Sequence, residues 1–100
     1  MKLISEVNNQ YTANVIYSKV TFYYQGNKIG ATTLQDGAPE ARKVLRYLAI
    51  TMKPFYEVLC FHRLSQQLLG ADVLEMSVSD NGEDILHAGK VIGKLSEHLD

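Results

Sequence analysis

Cysteine occurs once in these hundred residues, proline twice and tryptophan not at all. The single Cys60 excludes an intramolecular disulfide, so stability must come from packing, and a reducing compartment suits the chain. Strong net charge is also lacking. A balance of −1 favours neither nucleic acid nor a membrane surface. No stretch approaches the ~20 apolar residues that a membrane helix needs. The apolar run after Met1 is too short for a secretory leader, Glu6 arrives too early, and no Asn-X-Ser/Thr sequon occurs. These absences lead to the expectation of a cytoplasmic protein with no membrane association.

What is present is an ordinary globular composition, 46% hydrophobic and 21% charged, which argues against intrinsic disorder. One hundred residues fit a single domain, 1–100, in which nearly every apolar position must help build the core. The charges are segregated. Residues 1–70 hold eight Lys or Arg against four Asp or Glu, and residues 71–100 hold two against seven. Such asymmetry marks either a partner surface or two ends of one small domain that attract each other.

Local pattern divides the chain into three parts. Lys2 to Val7 reads as a short strand, interrupted by the turn-forming Asn8, Asn9 and Gln10. From roughly Val15 to Tyr24 the chain is β-branched and aromatic, with Val20, Phe22 and Tyr24 on one face and Thr21, Tyr23 and Gln25 on the other. Gly26-Asn27 supplies a two-residue turn that sets Tyr24 opposite Ile29 and Tyr23 opposite Gly30, where the phenol ring would cover the bare glycine. The strand returns over Ile29 to Leu34.

Asp36-Gly37-Ala38-Pro39-Glu40 then has the chemistry of a helix start, followed by Ala41, Val44, Leu45, Leu48 and Met52 at helical spacing. Pro54 predicts a sharp kink or a second helix beginning at Pro54-Phe55 and ending at Gly70. Phe55, Val58, Leu59, Phe61, Leu64, Leu68 and Leu69 surround most of that second helix, with Tyr56, Arg63 and Gln67 as its polar strip, which reads as a central core helix. Val73 to Ser79 alternates again, and Asn81-Gly82 turns it back through Asp84 to His87. Val91 to Leu99 is expected to form a terminal helix, with a strand after Gly89-Lys90 as the alternative. Gly26-Asn27-Lys28-Ile29-Gly30 and Gly89-Lys90-Val91-Ile92-Gly93 look alike, although five residues do not establish a repeat.

Motifs for chemistry fail one by one. Setting Gly82 at the sixth position of a calcium loop puts Ala88 where the bidentate glutamate belongs. Gly89-Lys90 lacks both the following Ser or Thr and the upstream glycine of a phosphate loop. Cys60 and His62 diverge by ~200° on a helix, and three scattered histidines lack zinc-site spacing. Nothing selects Glu57, Asp72 and Glu75 as a carboxylate cluster. The expectation is therefore no enzyme, no metal and no cofactor.

The architecture expected is α+β: antiparallel hairpins, a central kinked helix or helix pair, a C-terminal hairpin and a short terminal helix. The compact basic cluster Arg42, Lys43 and Arg46, with Tyr23 as an accompanying aromatic, is the candidate partner-binding site. Apolar residues on both faces of the strand over 15–24 also suggest self-association, most simply a twofold dimer. The leading functional expectation is a small non-enzymatic protein-binding module, an inhibitor or adaptor of a larger complex of the phage or mobile-element kind. The alternative is a small nucleic-acid-binding protein that uses the basic face of the first helix, with Tyr23 and Tyr47 stacking on bases.

Overall fold

The structure, a computed structural model, describes residues 1–67 and 76–97. Its elements are β1 (Lys2–Ile4), β2 (Tyr11–Ile16), β3 (Lys19–Tyr24), β4 (Asn27–Thr33), α1 (Ala38–Thr51), α2 (Phe55–Gln67), β5 (Met76–Val78), β6 (Asp84–His87) and β7 (Lys90–Lys94), followed by a 3₁₀ turn at Leu95–Glu97. The architecture is α+β, with an antiparallel four-stranded sheet in the order β1-β2-β3-β4 and an antiparallel three-stranded sheet in the order β5-β6-β7. The chain divides into two compact units, Met1–Phe55 and Tyr56–Asp100.

In the first unit β1 ends at Ile4 rather than reaching Val7. The Ser5 hydroxyl accepts hydrogen bonds from the Val7 and Asn8 amides, at 3.2 and 3.3 Å, and so turns the backbone out of the ladder. The span over 15–24 is two strands, not one. Ile16 pairs with Lys19, and Tyr17 adopts a left-handed φ of 56° in the two-residue turn between them. Strand-forming side chains run straight through this turn, which is why composition conceals it.

The next hairpin turns at Gln25-Gly26, one residue earlier than expected. Both residues have positive φ, 52° and 82°, the conformation in which glycine at the second position is least strained. Tyr24 therefore faces Asn27, Tyr23 faces Lys28 and Phe22 faces Gly30, with Ile29 left unpaired as a bulge. An aromatic ring does cover Gly30, but it belongs to Phe55. Its centroid lies 5.3 Å from that of Phe22.

One face of the sheet (Leu3, Tyr11, Ala13, Val15, Val20 and Phe22) is buried, as are Leu34 and the α1 residues Ala41, Val44, Leu45, Leu48 and Ala49. Burying one such aliphatic side chain is worth about 1.5–3 kcal/mol, so this layer holds the unit together. Gly37 caps α1, Pro39 lies in its first turn, and the Glu40 carboxylate accepts the Asp36 amide at 2.9 Å. Met52 does not continue the apolar stripe. It is the left-handed C-cap, φ 53°, and is exposed. Pro54 follows, and α2 begins at Phe55, so the helical region is a pair of helices.

Tyr11 and Tyr24 pack with ring centroids 4.7 Å apart. Burial, with a contribution from Tyr24, raises the Tyr11 pKa above its ordinary value near 10. Below pH ~10 the phenol is neutral both folded and unfolded, so it leaves stability unchanged with pH. Above that value the unfolded chain gives up this proton first, and folding stability falls until the folded-state pKa is passed. Thermal melts across pH 9–11 should therefore show a steeper alkaline decline for the wild type than for Tyr11→Phe. Identical slopes would contradict the assignment.

In the second unit Val58, Leu59, Cys60, Phe61, His62 and Leu64 of α2 are buried, as a core helix requires. The Cys60 thiol points at the Leu95 carbonyl, 3.9 Å away. Leu68, Leu69, Gly70, Val73 and Leu74, with the expected helix end and strand start, lie outside the described residues. The Asn81-Gly82 segment does reverse the chain, through a loop wider than two residues. The Ser79 amide donates to the Asp84 carbonyl, and the Asn81 side-chain oxygen accepts the Glu83 amide. Of the helix expected over Val91 to Leu99, residues 91–94 instead pair in β7, Leu95–Glu97 form the 3₁₀ turn, and His98 and Leu99 lie outside the described residues.

The short sequence likeness has a structural counterpart. Ala88-Gly89 turns with φ of 52° and 81°, His87 faces Lys90, Leu86 faces Val91, Ile85 faces Gly93, and Ile92 is the bulge. Phe22 and Ile85, opposite the closing glycines, are both fully buried. The turn and bulge register of hairpin β3–β4 thus recurs in β6–β7.

Candidate protein-interaction site

Arg42 and Arg46 lie one helical turn apart on α1, so their side chains project as neighbours, and both are exposed. They line a depression of about 210 Å³ together with Ile4, Ser5, Glu6, Val7 and Leu45. Leu45 is buried at its floor, whereas Ile4 and Val7 keep 54% and 52% of their surface exposed. Ile4 is exposed because strand alternation turns it away from the buried Leu3, and Val7 because the early end of β1 carries it into the connection to β2. The result is an apolar floor and wall with two guanidinium forks and one carboxylate.

Lys43 is exposed but does not line this depression. Tyr23 lies elsewhere. It is on the sheet face opposite Phe22, in a second depression of about 290 Å³ lined with Lys2, Thr12, Ala13, Asn14 and Gly26. The structure therefore brings Arg42 and Arg46 together and separates Tyr23 from them. Ile4, Glu6 and Val7 are the lining residues that pattern alone overlooks. Val7 reads as strand core when alternation is followed past Ser5.

The surroundings are electropositive. The unit Met1–Phe55 holds seven basic residues against three acidic ones, and Tyr56–Asp100 holds three against eight. No histidine or cysteine occurs in the first unit, and the Ser5 hydroxyl near the arginines is engaged by two backbone amides. Guanidinium groups there can donate forked hydrogen bonds to a carboxylate, and the apolar wall can take an aliphatic or aromatic side chain. In the second unit Cys60 and His62 are both buried. Glu57 is partly buried in the first turn of α2, and Asp72 and Glu75 lie outside the described residues. Among the described residues, no group of three or more His, Cys, Asp or Glu side chains is arranged to hold a metal ion.

No family model, curated protein or solved structure matches this chain. No helix among the described residues is long and apolar enough to cross a membrane.

Proposed function

We propose that this protein is a small non-enzymatic protein-binding module, an inhibitor or adaptor of a larger assembly. Its partner presents an acidic segment with apolar neighbours to the depression between α1 and the β1–β2 connection. The supporting observation is the meeting of Arg42 and Arg46 with the exposed Ile4 and Val7 around one concavity. Arginine beside an apolar anchor is the composition of an interface centre, where a few residues carry most of the binding energy. The charge of the first unit steers an acidic partner toward this side.

The test is the double charge reversal Arg42→Glu/Arg46→Glu, at two exposed positions where the fold has little at stake. A partner captured from the native host by the wild type should bind this variant at least ~30-fold more weakly, since each interface arginine can contribute 1–2 kcal/mol. Far-UV circular dichroism and Tm should stay unchanged. Undiminished binding would remove this helix side from the interface. A second copy of the chain is the simplest partner to examine, and light scattering on both proteins reads that case directly.

A further inference from the structure

The four strands of the first unit contain three charged residues, Lys2, Lys19 and Lys28, and no Asp or Glu. All three lysines are exposed, and the register places them on the side of the sheet away from the core. Leu3, Ala13 and Phe22 form a buried row, so their neighbours Lys2, Asn14, Thr21 and Ala31 form an outward row. Ile4, Thr12, Tyr23 and Lys28 form a second outward row, and Ile16, Lys19 and Thr33 form a third. Tyr23 is partly exposed on the central strand β3, at the depression shared with Lys2, Thr12 and Asn14.

From these features we propose that the open face of β1–β4 binds single-stranded nucleic acid, with Tyr23 stacking on a base and Lys2, Lys19 and Lys28 contacting phosphates. Strand spacing puts Lys28 beside Tyr23, about 5 Å across the ladder, and Lys2 and Lys19 each roughly 12–13 Å from it. That is a flat aromatic at the middle of a positive frame. Thr12, Asn14 and Thr21 between the lysines offer hydroxyl and amide groups to base edges. Exposed Ile4 and Ile16 border this face at the β1 edge and the β2 end, whereas its middle holds the planar ring of Tyr23 beside Lys28, a pairing that suits a base and its phosphate. A duplex keeps its bases stacked internally and offers no free ring to such a surface.

Tyr23 and the three lysines are on the other side of the sheet from Arg42 and Arg46, and although Ile4 on the edge strand adjoins both surfaces, variants of the two sets test the two readings separately. Fluorescence anisotropy with labelled oligo-dT and oligo-U of ~8 nucleotides, at about 50 mM salt, tests it. Binding is expected, with a log–log salt slope near −2, as about 0.7 per phosphate for three lysines requires. Lys28→Ala should make that slope less negative by about 0.7. Tyr23→Ala should weaken binding roughly tenfold, and Tyr23→Phe, which keeps the ring, should stay within about twofold. Arg42→Glu/Arg46→Glu should bind nearly as the wild type does.

Absence of binding at this salt would overturn the proposal. So would a duplex or polyglutamate binding equally tightly, or loss through the arginines with no effect of Tyr23 and Lys28. Lys28 is on an exposed edge strand, so its variant gives a reading even if Tyr23→Ala fails to fold.

Discussion

Replacing Phe22 by alanine should lower the unfolding free energy by about 3–5 kcal/mol. The ring is wholly buried, faces Ala13 on β2 and Gly30 on β4, and packs on Phe55. Its removal takes away the largest transfer contribution in the four-stranded sheet. It also leaves a void that two small cross-strand neighbours cannot fill. Domains of this size have about 5–15 kcal/mol in total, so a large part of the population should unfold at moderate denaturant. Urea titration monitored by circular dichroism measures the shift. Phe22→Leu should cost much less because most of the volume remains. A loss below 1 kcal/mol for the alanine variant would mean that Phe22 is not at the centre of this core.

The second large effect comes from adding atoms rather than removing them. A Cβ built on Gly30 would overlap the Cγ, Cδ1 and Cε1 atoms of the Phe55 ring. Gly30→Ala should therefore destabilise by about 1–3 kcal/mol, although a strand ordinarily prefers alanine to glycine. The diagnostic is coupling. In a Phe55→Leu background the same glycine change should cost at least ~1 kcal/mol less, a departure from additivity typical of residues in contact. Strictly additive losses would show that the ring is free to move aside.

How much of this was legible beforehand differs by element. The start and the buried stripe of the first helix were readable, because Gly37, Pro39 and Glu40 mark its beginning and Ala41, Val44, Leu45 and Leu48 recur at 3.6-residue spacing. Its end was less clear by one residue, since Met52 fits the apolar period and only backbone geometry shows it as the cap. Hairpin registers were harder. Gly26 can occupy either turn position, and a choice of one residue moves every cross-strand pair. The Tyr17-Ser18 turn carries no glycine, proline or asparagine, so strand propensity hides it. Gly93 and the leucines after Lys90 imitate a weak helix, whereas pairing with β6 decides for a strand.

The candidate site was half readable. Arg42 and Arg46 follow from helical spacing alone. Of their apolar companions, Ile4 follows from alternation on β1, whereas Val7 depends on where that three-residue edge strand stops, which a serine hydroxyl determines through two local hydrogen bonds. Tyr23 belongs to a different surface because Val20 and Phe22 occupy the buried face of β3, with Phe55 packed on Phe22, and Tyr23 the opposite one. Alternation distinguishes the two faces. It does not say which of them a helix will occupy.

The recurring ribbon has one further consequence. Its path is dictated by a left-handed pair ending in glycine, an isoleucine bulge and a second glycine, whether at Gly26, Ile29 and Gly30 or at Gly89, Ile92 and Gly93. The remaining positions are unconstrained by that recipe, and they diverge: Tyr23 against Leu86, Tyr24 against His87, Lys28 against Val91. A shape inherited by so few letters can be dressed twice in one polypeptide, so outward chemistry can drift in either half without disturbing the curl of the strands beneath it.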